Sequence, residues 1–194
     1  MGIFRKEKLG NGCRAIYLGG WRICYYKRNA NRKDRFRNCD ISPLASIDGA
    51  TEIGEYTYVG KDVDITKAKI GRYCAIGSHV RIGQGEHDMS QISMSGFLTS
   101  GSSSMMSRPC EIGNDVWVGT ESIIRRGVRV GNFAVIGANS FVNKDVPDFA
   151  VAVGSPARVV RLRFDEETRR RITESRYWLL PPEEAKKIIR ELEK

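Results

Sequence analysis

Aliphatic residues recur at every sixth position through the middle of this chain of 194 residues. Glycine directly follows nine of the thirteen aliphatic positions, and a small or β-branched residue stands four residues after most of them. A period of six does not match the 3.6 residues of an α-helical turn, and so many glycines would destabilise a helix by about 1 kcal/mol each. The thirteen positions are Ile47, Ile53, Val59, Ile65, Ile70, Ile76, Ile82, Ile112, Val118, Ile124, Val130, Ile136 and Val142.

The spacing within the repeat predicts short strands joined by sharp corners. The fifth residue of one hexad and the first residue of the next are two positions apart, so on a strand both side chains point to the same face. We expect that face to be the interior, and three hexads to close one triangular coil of a parallel β-helix. Ile65 and Ile70 are only five residues apart, which predicts a corner of altered geometry between them.

The repeat is interrupted once and then ends. Thirty residues separate Ile82 from Ile112, a multiple of six, so a protruding loop over residues 84–109 can leave the coils and return in register. A loop of this length in a compact domain is usually functional. We therefore predict an all-β fold with a basic N-terminal flank (1–40), a β-helix domain (41–164) and C-terminal helices (165–194). One helix follows Phe164 with an N-cap, and a second begins at Pro181 and Pro182.

Charge and composition restrict the setting. The formal net charge is +9, and residues 1–40 hold eleven Lys or Arg against three acids. The flank matches no nucleic-acid-binding signature, so no nucleic-acid partner is expected. Two interpretations of the flank stay open: peripheral contact with an anionic membrane surface, or packing on the main domain. With no signal-peptide pattern, no apolar run of membrane-spanning length and five cysteines without a C-x-x-C pair, the sequence predicts a cytoplasmic protein with free thiols.

Three segments carry a resemblance to a known family. They are residues 112–119 (IGNDVWVG), 142–147 (VNKDVP) and 154–164 (GSPARVVRLRF). With the repeat, they resemble the hexapeptide-repeat acyltransferases, which are left-handed parallel β-helix enzymes that form trimers and use acetyl-CoA. The resemblance thus implies a left-handed coil, a homotrimer, acetyl-CoA as co-substrate and no metal.

Within that superfamily, the glycine-rich approach to His87, the Ser-rich loop and the helices around Tyr177 and Trp178 are similar to the xenobiotic acetyltransferase branch. That branch holds chloramphenicol and streptogramin acetyltransferases and many polysaccharide O-acetyltransferases. The chain departs from the branch in the loop and near the second C-terminal helix, where the acceptor or the trimer packing would be affected. The departures are Asp88, Gln91, Gly96 and the pair Leu179 and Leu180.

His87 is the candidate catalytic residue. It stands at the start of the loop in a polar context, and an imidazole can take the proton of an acceptor hydroxyl, an effect worth ~10²–10⁴ in rate. His79, the only other histidine, occupies an outward hexad position and is expected on the solvated surface. Two histidines cannot build the three-histidine metal site of β-helical carbonic anhydrases.

The resemblance also implies a set of cofactor-binding residues. Trp117 would line the acetyl-CoA tunnel beside Gly119 and Thr120, with a backbone amide near Gly119 stabilising the oxyanion. The alternative for Trp117 is a trimer contact, and for the basic residues of the set a simple solvated surface. The remaining positions that match cofactor-binding positions of the family are Ala138, Asn143, Lys144, Arg158 and Arg161.

The sequence as a whole predicts an acetyl-CoA-dependent O-acetyltransferase that acts on a hydroxyl of a sugar or a surface-polysaccharide precursor. The loop departures and the basic flank favour this acceptor. One alternative is a xenobiotic acetyltransferase that acts on chloramphenicol or streptogramin-type antibiotics. An alternative of another class is a non-catalytic β-helical scaffold.

Overall fold

The computed structural model describes residues 5–8, 13–18, 21–26, 35–95, 97–98 and 108–194. The chain divides into two compact units, Met1–Arg35 and Phe36–Lys194. In the first unit three antiparallel strands form a meander, and the sequence analysis did not predict it: β1 (Arg5–Lys8), β2 (Cys13–Leu18) and β3 (Trp21–Tyr26). The side chains of residues 1–34 lie outside the described residues, and so does the predicted membrane contact.

The second unit is a solenoid of three parallel sheets. The first sheet contains β4 (Asp40–Ile41), β7 (Tyr58–Val59), β10 (Ala75–Ile76), β13 (Trp117–Val118), β16 (Val135–Ile136) and β18 (Ala150–Val153), with β19 (Arg158–Leu162) added antiparallel at its end. The second contains β5 (Ser46–Ile47), β8 (Asp64–Ile65), β11 (Arg81–Ile82), β14 (Ile123–Ile124) and β17 (Phe141–Val142). The third contains β6 (Glu52–Ile53), β9 (Ala68–Ile70), β12 (Cys110–Ile112) and β15 (Arg129–Val130).

The chain visits the first, second and third sheets in turn, so three strands make one coil. We call the turn from the first to the second sheet the first corner, the turn from the second to the third sheet the second corner, and the return to the first sheet the third corner. This architecture confirms the predicted parallel solenoid and is consistent with a left-handed β-helix.

The aliphatic hexad positions form the core as predicted. Pairing between successive coils stacks Ile65 on Ile82, Ile82 on Ile124, and Ile124 on Val142. Ile65, Ile82 and Ile124 are 0% exposed. Burying an aliphatic side chain of this size contributes about 1.5–3 kcal/mol, so these columns are the main source of stability.

The irregular positions in the repeat also behave as predicted. β9 begins three residues after Ile65, and Lys67 turns this shortened corner with a φ of 48°. The loop leaves at the second corner of the third coil, between β11 and β12. Ile112 then pairs with Ile70 on one side and Val130 on the other, so the chain returns to the solenoid in register.

The C-terminal helices lie where the sequence predicts them. α1 (Glu166–Ser175) is capped by the Asp165 carboxylate, which accepts a hydrogen bond from the Thr168 amide at 2.8 Å. A 3₁₀ turn (Tyr177–Leu179) connects α1 to α2 (Pro182–Leu192), which has a proline in its first turn. Within the described residues no helix is long and apolar enough to cross a membrane.

These helices cover the third corner of the solenoid. Phe133 and Phe149, two residues of that corner, stack with their ring centroids 4.6 Å apart and pack with the buried Tyr177. The Tyr177 hydroxyl donates a hydrogen bond to Asp115, and the Tyr73 hydroxyl donates to the Leu180 carbonyl at 2.6 Å. The helices therefore use the third corner and leave the first and second corners to other contacts.

The coils approach most closely at the glycines that follow the aliphatic positions. A Cβ atom added to Gly71 would lie 2.5 Å from the carbonyl oxygen of Gly113 in the next coil, well inside van der Waals contact with a backbone atom. Since neighbouring strands are about 4.8 Å apart, neither coil can move away without breaking its hydrogen bonds.

Replacement of this glycine tests the packing of the coils. Gly71→Ala is expected to lower the free energy of unfolding by about 2 kcal/mol, because overpacking a rigid interior typically costs 1–3 kcal/mol. Thermal and denaturant unfolding measure the change. Gly49→Ala is the matched control, since nothing lies within 4 Å of its added Cβ. Equal stability of the two variants would contradict this account of the repeat.

Candidate active site

His87 lies just after the loop leaves the second corner. β11 ends at Ile82, and His87 follows five residues later without regular secondary structure. Its side chain is exposed, and among the described residues it has no hydrogen bond or ion pair. The imidazole is therefore accessible to a reactant and is not engaged by a structural partner.

The chain immediately before His87 is fixed by an ion pair. Glu86 and Arg125 form two hydrogen bonds, Nε to Oε1 at 2.6 Å and Nη2 to Oε2 at 2.7 Å. These bonds raise the pKa of Arg125, and their paired geometry is the most directional that an arginine and a carboxylate can make. Gln84 adds a hydrogen bond from its Nε2 to the Asp64 carbonyl at 3.2 Å. The base of the loop is thus held to the second and fourth coils.

The carboxylate that follows His87 is also engaged. Asp88 Oδ1 accepts hydrogen bonds from the Ser90 amide at 3.0 Å and the Ser90 hydroxyl at 2.7 Å. These bonds lower the pKa of Asp88, which makes it a weaker base than an ordinary aspartate. Since Glu86 is bound to Arg125, the imidazole of His87 is the best-placed proton acceptor at the base of the loop.

The predicted cofactor-binding residues separate into groups along the solenoid. Trp117, Gly119, Thr120 and Ala138 lie on the first sheet or at the first corner, and the Trp117 side chain is 55% exposed. Asn143 and Lys144 follow β17 at the second corner, which is also the corner of the His87 loop. One chain therefore places its candidate cofactor residues at two different corners.

The amide of Gly119 is already used within the solenoid. It donates to the Ile136 carbonyl at 2.8 Å, and a Cβ at Gly119 would lie 2.5 Å from the Ala138 nitrogen. This glycine thus permits close stacking of two coils. The amide of Thr120 makes no hydrogen bond within the described part of the chain, while its hydroxyl donates to the Ser78 carbonyl at 2.7 Å.

Arg158 and Arg161 lie on the same face of β19 because of a β-bulge. Arg158 pairs with Val153 and Arg161 with Val151, and the register skips Val160 between them. Residues three apart on a regular strand point to opposite faces, whereas this bulge places both guanidinium groups outward. Among the described residues each guanidinium donates only to a neighbouring backbone carbonyl, Arg158 to Ala157 and Arg161 to Leu162. Two exposed cations on one face suit a phosphorylated ligand.

Asn143 has a buried oxygen that no described residue satisfies. Its Oδ1 atom is inaccessible to solvent and accepts no hydrogen bond. Leaving a buried acceptor unpaired costs about 1–3 kcal/mol, so the site fits a ligand that brings an amide N–H to this atom.

The described thiols are unsuited to nucleophilic chemistry. Burial raises the pKa of Cys74 to about 12 and also raises the pKa of Cys39 and of Cys110. A thiol is nucleophilic only as its thiolate, which these environments disfavour. Cys13 and Cys24 have side chains outside the described residues.

His79 lies on the surface, as the sequence predicts. Its ring nitrogens are 3.5 Å from an Asp62 oxygen and 3.7 Å from a Glu121 oxygen, and its side chain is 46% exposed. Within the described residues no group of three His, Cys, Asp or Glu side chains could hold a metal ion.

Two features of this site were not predicted from the sequence, the Glu86–Arg125 pair and the bulge at Val160. The hexad register could have indicated part of the first feature. Ile124 stacks on Ile82, so Arg125, the next residue, lies above Gly83 at the point where the loop begins. Nothing in the sequence showed that Glu86 would turn back toward Arg125, 39 residues later.

Comparison with known proteins agrees with the fold. A family model described as bacterial transferase hexapeptide (six repeats) matches residues 109–144. A chloramphenicol acetyltransferase of Agrobacterium fabrum is 33% identical in an alignment of 141 positions that covers 66% of this chain and 68% of that protein.

Two solved structures share the fold. A hexapeptide-repeat-containing acetyltransferase from Vibrio cholerae, complexed with acetyl coenzyme A, aligns with a TM-score of 0.59 and 26% identity over 71% of this chain and 77% of that chain. A galactoside acetyltransferase in complex with coenzyme A aligns with a TM-score of 0.55 and 27% identity over 70% and 69%.

The solenoid, the loop with its histidine and these similarities define an acyltransferase built on hexapeptide repeats. The chain belongs to the hexapeptide-repeat acetyltransferase family. This membership confirms the family that the sequence motifs indicated.

Proposed function

We propose that this acyltransferase moves the acetyl group of acetyl-CoA to a hydroxyl of a sugar or a surface-polysaccharide precursor, with His87 as the general base. The observation that carries the proposal is an exposed imidazole without a structural partner, on a loop whose base is fixed by the Glu86–Arg125 pair. A fixed backbone beside an unoccupied base is what proton transfer from a bound hydroxyl requires.

The chain's own groups have distinct tasks in this reaction. Acetyl-CoA supplies an activated acetyl thioester. An imidazole nitrogen of His87 takes the hydroxyl proton of the acceptor, which makes that oxygen nucleophilic. The Thr120 amide, which has no hydrogen bond among the described residues, is a better candidate for oxyanion stabilisation than the engaged amide of Gly119.

Acetyl-CoA fits the residues predicted to bind it. The buried Oδ1 of Asn143 can accept a hydrogen bond from an amide of the pantetheine arm. Arg158 and Arg161, on one face of β19, and the exposed Lys144 supply positive charge for the phosphates. Trp117, Gly119, Thr120 and Ala138 would line the path at the first corner.

A homotrimer would complete the site. The His87 loop and Asn143 lie at the second corner of the solenoid, whereas Trp117, Thr120 and Ala138 lie at or near the first corner. One copy of the solenoid therefore cannot bring both corners to the same reactants. A neighbouring copy can set its first corner against the second corner of this one. Closed symmetry then gives three equivalent sites at the subunit boundaries and covers the exposed Trp117.

Polar groups around His87 support a saccharide acceptor. Glu86, Asp88 and Ser90 lie within three residues of His87 in the sequence. Their side-chain oxygens can accept hydrogen bonds from a ligand with many hydroxyls. Chloramphenicol acetylation is the second candidate. It is favoured by the name of the similar Agrobacterium protein and by exposed apolar side chains further along the loop, Met89, Ile92, Phe97 and Leu98.

An acetyl-CoA turnover assay over sugars, nucleotide sugars, chloramphenicol and streptogramins tests the proposal. Acetylation of a saccharide with clear preference over both antibiotics supports it. Preference for chloramphenicol would establish the second candidate, and no turnover with any hydroxyl compound would count against both.

The role of His87 is tested by two histidine variants. His87→Ala is expected to lower kcat by at least about 100-fold, with acetyl-CoA binding and thermal stability nearly unchanged, because it removes only the proton acceptor. His79→Ala, at the surface histidine, is the matched control and should retain the wild-type kcat. If His87→Ala kept more than roughly a tenth of kcat, a loss below ~1.4 kcal/mol, general-base catalysis by this residue would be wrong.

The phosphate-binding role is tested one cation at a time. Lys144→Ala, Arg158→Ala and Arg161→Ala are each expected to raise KM for acetyl-CoA by roughly 10-fold, since hydrogen bonds to charged groups contribute about 1.5–3 kcal/mol. KM for the acceptor should hardly change in steady-state assays. Equal effects on both substrates would contradict the assignment, and Lys187→Ala at an exposed position of α2 is a control for general charge loss.

The assembly is tested by light scattering at micromolar protein. The measured mass is expected to be three times that of the chain. Mixing two inactive variants, His87→Ala and one with a bulky Ala138→Trp change, should restore part of the activity, because some boundaries then combine two intact corners. A monomeric mass with full activity would rule out shared sites.

A further inference from the structure

Arg126 is a buried arginine at the second corner, between β14 and β15. Its side chain is only 9% exposed. Its Nη2 atom donates to the Thr66 hydroxyl at 2.9 Å, whereas Nε and Nη1 are buried and have no hydrogen-bond partner among the described residues. A buried cation normally has a carboxylate partner, since an unpaired charge away from water is costly.

The charged groups at this corner do not balance. Arg125 takes the Glu86 carboxylate in two hydrogen bonds, which leaves Arg126 without an acidic partner in the described part of the chain. Arg108, where the loop returns, packs over Gly127 beside it. The base of the loop thus holds three arginines and one glutamate, and of the three only Arg126 is buried.

Arg126 lies between the two ends of the His87 loop. The Thr66 hydroxyl, which accepts its hydrogen bond, donates to the Gly83 carbonyl four residues before His87. At the returning end, the Cys110 thiol donates to the Arg125 carbonyl at 3.0 Å. A ligand that reached the unpaired donors of Arg126 would therefore be held at the base of the loop whose histidine acts as the proposed base.

We infer that Arg126 binds an anionic group of the acceptor, so that the acceptor is a saccharide carrying a phosphate or a carboxylate. This inference rests on the proposed acetyl transfer to a saccharide and narrows its substrate class. The buried Nη1 donor and the positive charge of the guanidinium are what an oxygen of that anion would meet, while the Nε donor points from another edge of the same group. The cofactor's phosphates are assigned above to Arg158 and Arg161 on β19, at the far end of the first sheet, and to the exposed Lys144, one coil beyond Arg126.

Direct binding gives the first test. Protein saturated with coenzyme A is titrated calorimetrically with inorganic phosphate and, separately, with glucuronate. Arg126→Gln is expected to weaken binding of at least one anion by roughly 10-fold or more. Arg129→Gln, exposed in the same coil, is the matched control and should bind as the wild type does. Loss of phosphate binding alone indicates a phosphorylated sugar, and loss of glucuronate binding alone indicates a uronic acid.

Equal binding by wild type and Arg126→Gln, or no binding by the wild type, would overturn the inference. Stability and mass separate a ligand role from a structural one. Arg126→Gln should keep its melting temperature within roughly 2 °C of the wild type, or exceed it, because an unpaired buried charge is removed. Failure to fold, a much lower melting temperature or loss of the trimer would instead assign Arg126 to the core or to a partner copy's carboxylate.

Acetylation of matched sugars separates this inference from the proposed function. Glucose, glucose 6-phosphate and glucuronic acid differ in charge, and the wild type is expected to prefer a charged acceptor, with the preference lost in Arg126→Gln. If the wild type and Arg126→Gln both acetylate neutral and charged sugars at similar rates, the anionic acceptor is wrong and the acetyltransferase proposal is unaffected. If the wild type binds the anion, Arg126→Gln does not, and neither transfers an acetyl group to any sugar, then the anion site at Arg126 stands and the proposed acetyl transfer is wrong.

Discussion

Stacking of one coil directly on the next is the interaction on which the rest of this structure depends. Parallel ladders set neighbouring strands about 4.8 Å apart, and the aliphatic columns fill the interior at that spacing. Ile65, Ile82, Ile124 and Val142 form one such column. At Gly71 the coils are so close that a methyl group would overlap the backbone above it. The solenoid is therefore rigid along its length, which is what lets a loop be held at one fixed corner.

The three corners of the solenoid have different surroundings, although the repeat treats them alike. The third is covered by the C-terminal helices through Phe133, Phe149 and Tyr177. The second is opened by the loop and carries His87, the Glu86–Arg125 pair and Arg126. The first follows strand β13, which carries the exposed Trp117. In the proposed trimer the first corner of one copy would meet the second corner of the next, so that donor and acceptor share one site.

At the base of the loop, Arg125 and Arg126 link the fold to the proposed chemistry. Two adjacent arginines in one turn have opposite environments, since Arg125 is satisfied by Glu86 and Arg126 keeps two buried donors unpaired. The first holds the backbone next to His87, and the second is costly to the fold unless an anion meets it. Natural proteins tolerate such local costs chiefly at functional sites, where a ligand satisfies the group that the fold leaves unpaired.

The sequence by itself determined the solenoid, because aliphatic residues at every sixth position define which side chains of each short strand face inward. It also determined the register of the loop, whose thirty-residue span returns Ile112 to Ile70, and the cap of α1 at Asp165. Only the tertiary structure decided which polar groups meet. A bulge at Val160 places Arg158 and Arg161 on one face of β19. The Gly119 amide donates to the Ile136 carbonyl of the next coil, and Glu86 pairs with Arg125, 39 residues later in the chain. Such contacts depend on the direction in which a corner or a loop points, and that direction follows from neighbouring coils rather than from any local pattern.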